Sequence, residues 1–274
     1  MFVKRFCIQK GFMCRGLLLA FIGSVSFNAL NADELKTCKS KEDKKVGCID
    51  KEYYKNGNIK REIPYKNSEK DGIEKQYDES GNLDFEIQYK NGKRDGIEKI
   101  YFEDGKLRET PFRNDVAEGI EKTYYKNGNL WIENPYKNGV TEGIVKIYYE
   151  NGNLGFETPY KNGKKEGIGK SYYESGNLKA EGLLKNNKIE GIVKLYYENG
   201  NIASEIPYMN GKVHGSVKFY SKKLIWQANA QNGKLINGKC ANGKTLTDTH
   251  LTKINKAINE GNIDKDYWLK ICED

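Results

Sequence analysis

The side chains here that could carry chemistry are lysine, glutamate, tyrosine, cysteine and two histidines, and their spacing decides what they can do. Lys75, Lys122, Lys146, Lys170 and Lys194 recur one or two repeat lengths apart, and so do Glu86, Glu133, Glu157, Glu181 and Glu205. Acid–base catalysis needs unlike groups converging on one reacting atom, with one of them in an exceptional setting. Here no lysine or glutamate is singled out. His214 precedes a recurring glycine and reads as a surface turn residue, and His250 sits beside a short helical pattern rather than a catalytic partner. There is no Ser elbow, no Cys–His signature and no glycine-rich phosphate loop. The expectation is a non-enzyme with no cofactor and no metal. The recurring tyrosines Tyr101, Tyr124, Tyr148, Tyr172 and Tyr196 read differently, because tyrosine is favoured at protein interfaces. They are the candidate binding residues.

These residues belong to a unit typified by Gly143 to Glu166, 24 residues long, and near-copies run from Gly47 to Asn237. Its turn glycine returns at Gly57, Gly81, Gly105, Gly128, Gly152, Gly176 and Gly200, a period that marks a repeat architecture. Asn-Gly between Tyr/Ile-rich runs predicts a β-hairpin with a two-residue type I′ loop at Asn151-Gly152. The second connection, Lys161 to Glu166, reads as a looser turn. The resulting register sets Tyr149 opposite Leu154, Ile147 opposite Phe156 and Lys146 opposite Glu157, with the same Lys–Glu pairing in the units around it. The unit opening at Gly96 is one residue short, which sets Glu109 opposite Ile100 and predicts a bulge. Val145, Ile147, Tyr149, Leu154, Phe156, Thr158 and Tyr160 form the face expected to be better buried. Pro64, Pro111, Pro135, Pro159 and Pro207 share one position and should mark where pairing stops. The fold class is all-β: an elongated single-layer antiparallel sheet of hairpins, each burying its apolar side only against its neighbours.

The run Gly-Ile-Val-Lys-Ile-Tyr-Tyr-Glu-Asn-Gly-Asn-Leu from Gly143 to Leu154 resembles the variant form of the membrane occupation and recognition nexus (MORN) repeat. That variant is common in bacterial proteins, many of them catalogued as antitoxins of toxin–antitoxin systems. The resemblance implies an elongated sheet of hairpins serving as a scaffold, protein binder or lipid binder. It implies no catalytic residues, and the antitoxin role sits poorly with an exported chain.

Export is read from the N-terminus. Residues 1–32 carry four basic residues and the apolar run Gly16 to Phe27, followed by small residues, which is the pattern of a cleavable secretory signal peptide. Cleavage is expected after Ala32, with Ala29 the alternative, and Met13 would give a conventional short leader. Without this segment the net charge of +8 falls to +4, that of an ordinary solvated surface. In an oxidising compartment Cys38, Cys48, Cys240 and Cys272 read as disulfides. Their placement favours Cys38–Cys48 and Cys240–Cys272 over the other two connectivities, and their long spacings disfavour zinc. Residues 33–46 read as an N-terminal guard, 47–237 as the repeats and 238–274 as a helical cap. In the cap, Leu251, Ile254 and Ile258 share one helix face, with Asp248 or Thr249 as N-cap and Gly261 as stop.

The expected partner is a protein. Anionic lipid is the alternative, because Lys90-Asn-Gly-Lys-Arg94 and Lys161-Asn-Gly-Lys-Lys165 place basic loops on one rim. The regular facing glutamates and export argue against nucleic acid. N-terminal sequencing of the protein recovered outside the cytoplasm should begin at Asp33; a chain that retains Gly16 to Phe27 would contradict a cleaved leader.

Overall fold

The computed structural model describes residues 35–260 and 265–272. The leader, both candidate cleavage sites and the expected stop at Gly261 lie outside the described residues. A single 22-stranded sheet carries the whole repeat region. In the central unit, strand Gly143–Tyr148 pairs antiparallel with Leu154–Lys161. The chain then turns into the two-residue strand Lys164–Lys165 and on to Gly167–Tyr172, which pairs back on Leu154–Lys161.

Lys146 lies opposite Glu157 and Ile147 opposite Phe156, as the repeat predicts. The turns, however, are reversed from the expectation. At Asn162-Gly163 both φ angles are positive, 49° and 72°, and Lys161 pairs with Lys164, so this is the two-residue type I′ loop. At Asn151-Gly152 only the glycine is positive, at 89°. There Gly152 N donates to Tyr149 O at 2.9 Å and Tyr149 N to Asn153 O at 2.8 Å. That is a type I turn closed by a glycine bulge. The two asparagines differ in their bonds. The Asn151 side-chain oxygen accepts from Asn153 N at 2.9 Å, a local Asx bond made at ordinary φ. Asn162 instead donates its backbone N–H to Glu142 of the preceding unit at 2.6 Å.

The wider turn shifts the register between Ile147 and Tyr148, so Tyr148, not Tyr149, pairs with Leu154. Leu154 therefore joins the Lys146 face, and Gly155 is the buried bulge residue beneath the Tyr149 ring. The short unit is corrected by the same reasoning. Its missing residue is the bulge itself, so Lys99 pairs with Glu109 and Tyr101 with Leu107 with no register shift. The deletion straightens this hairpin instead of distorting it.

Pro135 interrupts pairing with the following strand, but the ladder resumes at Tyr136–Thr141 and ends only at the tight turn. Its carbonyl accepts from Glu142 N at 3.0 Å, and Gly143 follows with φ +119°. A Cβ on Gly143 would stand 3.1 Å from Pro135 Cγ, so proline and opening glycine of adjacent units fit as a pair.

The central repeats have no continuous apolar core: Phe156, on the face expected to be covered, is 46% exposed, and Glu74, Thr110 and Thr123, buried on that face in earlier units, are polar. The packed core lies at the C-terminal end, where the sheet continues past Asn237 through strand Lys234–Cys240. Helix Asp248–Glu260 lays Leu251, Ile254 and Ile258 into that core. Thr247, rather than Asp248 or Thr249, caps it: its hydroxyl accepts from His250 N at 3.3 Å, and its own N–H donates to His250 Nδ1 at 3.4 Å. Trp268, on helix Lys265–Lys270, packs edge-on to Phe219 and Trp226 at 5.2 and 5.3 Å. Cys240–Cys272 and Cys38–Cys48 are both bonded, one at each end of the sheet. At the N-terminal edge Thr37 bridges Ile49, and helix Lys41–Val46 carries a Ser40–Asp43 capping box. The two disulfides point to an oxidising compartment.

Gly143→Ala should destabilise the protein by about 1–2 kcal/mol, the cost of holding an L-residue in the left-handed region. Urea unfolding followed by circular dichroism would read this, and an unchanged midpoint would contradict the role assigned to the glycine–proline pair.

Candidate binding face

The Lys–Glu pairing does not stop at the hairpin. Glu133 faces Lys122 in its own hairpin and Lys146 in the next, and Glu157 likewise faces Lys146 and Lys170. The row runs unbroken from Lys51 to Lys218 and ends opposite Gln227. Ion pairs close at Lys51–Glu62 (2.9 Å), Lys99–Glu109 (3.2 Å) and Lys218–Glu205 (3.7 Å).

The five sequence-predicted tyrosines form a row beside this ladder, on the same face. Tyr101, Tyr124, Tyr148, Tyr172 and Tyr196 donate their hydroxyls to Glu86, Glu109, Glu133, Glu157 and Glu181 of the preceding hairpin, at 2.7–3.3 Å. Burial, then the hydrogen bond to a carboxylate and its charge, pushes Tyr148, Tyr172 and Tyr196 up to about 12. For Tyr101 and Tyr124, burial followed by the neighbouring carboxylate charge raises the hydroxyl in the same direction. These hydroxyls clamp hairpin to hairpin, and only the half-buried rings are presented outward. A second tyrosine row does similar work from the turn: Tyr125, Tyr149, Tyr173 and Tyr197 each donate to a backbone carbonyl of the next hairpin, at 2.6–2.7 Å.

On the tight-turn rim, Glu118, Glu142, Glu166 and Glu190 accept the backbone N–H of the next turn's asparagine. His214 occupies this column in the last repeat; it is half-buried, and its Nδ1 has no hydrogen-bond partner. Among the described residues no cluster of His, Cys, Asp or Glu could hold a metal ion.

What sequence reasoning missed is the row outside the ladder. Ile73, Ile97, Ile120, Ile144, Ile168 and Ile192, each following an opening glycine, are 40–58% exposed. They pair with Gln88, Pro111, Pro135, Pro159, Leu183 and Pro207, so an apolar stripe crosses the hairpins. Two residues beyond that partner, on the same face of the strand, stand Lys90, Arg113, Lys137, Lys161, Lys185 and Met209, all exposed, so five of the six units carry a cation on this rim. Among the described residues Arg113, Lys137, Lys161 and Lys185 make no ion pair. Both columns stand at a fixed offset from the opening glycine of each unit.

The family model described as "MORN repeat variant" matches seven successive segments: 51–67, 70–91, 94–114, 117–138, 141–162, 165–186 and 189–210. The chain belongs to the MORN repeat variant family. The seven MORN segments end on the tight-turn asparagines and omit the last hairpin, whose strands Gly215–Ser221 and Lys223–Gln231 are joined at Lys222 without an Asn-Gly pair. Comparison with curated proteins gives no match.

The tyrosine row makes a pH prediction. A neutral hydroxyl whose folded pKa of about 12 exceeds its unfolded value of 10.0 contributes stability that is complete below pH 10 and is lost as pH rises to about 12. Tyrosinate absorbance should therefore appear in step with unfolding above pH 10. Tyr172→Phe, which removes one clamp, should cost about 1 kcal/mol at neutral pH. Smooth titration of every tyrosine near pH 10 in the folded protein would contradict the clamp.

Proposed function

We propose that this MORN protein is an exported, non-catalytic scaffold that binds a protein partner on the isoleucine-bearing face of its sheet. The observation that carries this reading is the stripe of six half-exposed isoleucines kept at one position of six consecutive units. Apolar side chains repeated on a surface mark an interaction site, and the Lys–Glu row on the inner side of the stripe is matched across the strands. Lysines and glutamates that recur in every unit and pair with one another support a structural rather than a catalytic role. Export to the periplasm or beyond is supported by the two disulfides together with the apolar run Gly16 to Phe27. A second reading, peripheral binding to anionic lipid, is favoured by the rim cations. No helix among the described residues is long and apolar enough to cross a membrane.

A photo-crosslinking amino acid placed at Ile144, with Lys179 on the far rim as control, tests the first reading in intact cells. The expected outcome is one discrete protein adduct from position 144 and none from 179. Absence of any adduct, with co-sedimentation on phosphatidylglycerol vesicles at physiological salt, would favour the lipid reading instead.

A further inference from the structure

The stripe and the rim cations lie side by side and share one period, and that combination restricts what can occupy them. We propose that the partner is an extended acidic polypeptide segment lying across the hairpins, with one apolar residue on each isoleucine and one carboxylate beside each rim cation. This deepens, and rests on, the protein-binding reading above.

Spacing is the first ground. Each unit adds two main strands, about 4.8 Å apart, so equivalent isoleucines recur every ~9.6 Å. A polyproline-II chain, itself extended, has three residues per turn and rises about 3.1 Å per residue, so three of its residues cover ~9.3 Å. Every third residue then meets the next isoleucine in the same orientation. An α-helix of 5.4 Å pitch makes about 1.8 turns over that distance, so its contacting side would rotate away from the stripe.

Charge is the second. Outside the stripe stand Lys90, Arg113, Lys137, Lys161 and Lys185, one in each of five successive units, while Glu118, Glu142, Glu166 and Glu190 of the same rim are held on the backbone N–H of the next turn's asparagine. Inside it the Lys–Glu row is internally matched and presents no net sign. The complementary ligand is therefore acidic along one edge only, at the period of its apolar contacts. A second copy of this chain fits poorly in one of its two face-to-face orientations. Laying stripe on stripe about a two-fold axis parallel to the strands sets each row against itself, and rim cation then meets rim cation.

Shape is the third. Neighbouring strands rotate by roughly 20–25°, so a stripe crossing about twelve strands winds around the sheet axis. A flat bilayer can touch only a few hairpins of such a stripe, whereas a flexible chain can follow it.

The test uses the purified protein and fluorescein-labelled peptides made of six Glu-Val-Ser, six Lys-Val-Ser or six Glu-Val-Ser-Gly repeats, read by fluorescence anisotropy. The Glu-Val-Ser peptide should bind saturably. The lysine peptide and the four-residue period should each bind at least about ten-fold more weakly. The variant Ile120→Ser/Ile144→Ser/Ile168→Ser should lose about ten-fold for the Glu-Val-Ser peptide, with its circular dichroism and thermal midpoint held. Ser216, which follows the opening glycine Gly215 of the last hairpin, shows that serine is accommodated there. Lys137→Glu/Lys161→Glu should weaken the acidic peptide and strengthen the lysine peptide. Equal binding of all three peptides, or full binding by the serine variant, overturns the proposal. If no peptide binds yet Ile144 still cross-links to a protein, the extended acidic partner is wrong and the protein-binding reading stands. If phosphatidylglycerol vesicles bind and displace the peptide through the same isoleucines, the face is a membrane site and both readings fall.

Discussion

The arrangement on which everything else depends is the row of alternating lysines and glutamates from Lys51 to Lys218. Each glutamate in it faces a lysine in its own hairpin and another in the next, as Glu157 faces Lys146 and Lys170. One such cross-strand pair contributes ~0.2–1 kcal/mol, at the low end where solvent reaches it. Its value lies in what it forbids. Repeats without a continuous apolar core have little else to specify register, and a one-residue slip would turn every side chain over. The tyrosine hydroxyls that seek out the same glutamates extend this control from strand pairs to hairpin pairs.

Much of the fold could be read from the period alone. Lys146 against Glu157 follows from spacing, and the staples Cys38–Cys48 and Cys240–Cys272 follow from where cysteines stand relative to the repeats. The errors were local. Asn151-Gly152 and Asn162-Gly163 are the same dipeptide, and what separates them is the partner each asparagine finds: its own backbone two residues on, or a glutamate one unit back. A contact made between units is not written in either unit. The same holds at Thr247, where the capping bond depended on His250 folding back. The shortened unit misled because the turn was counted as tight; once a bulge belongs to the turn, its loss brings Lys99 and Glu109 together. The candidate tyrosines share one face, but their hydroxyls serve the sheet, and the exposed isoleucines stand beside them.

The two faces age differently along the array. On the face opposite the ladder, the position held by Glu74, Glu98 and Glu121 in three early units becomes Val145, Gly169, Val193 and Val217 later. Glu74 is fully buried against Arg61 and Lys70, whereas Val217 is part of the packed core. The polar interior of the first hairpins gives way to the apolar one that the terminal helices cover. The isoleucine face keeps one chemistry over six units, which is what a surface used repeatedly would require.

The position of that core has a consequence for how the molecule comes into being. A ribosome delivers the N-terminal hairpins first, yet Phe219, Trp226, Ile254 and Trp268 are made last. Each early hairpin can lean only on the one before it, so the growing array begins from a locally closed ten-residue loop, Cys38 to Cys48, that needs nothing downstream. The longer 32-residue closure, Cys240 to Cys272, waits for the end of synthesis. The chain thus has a starter that forms early and a terminator that forms late, and the number of hairpins between them can change without redesigning either end.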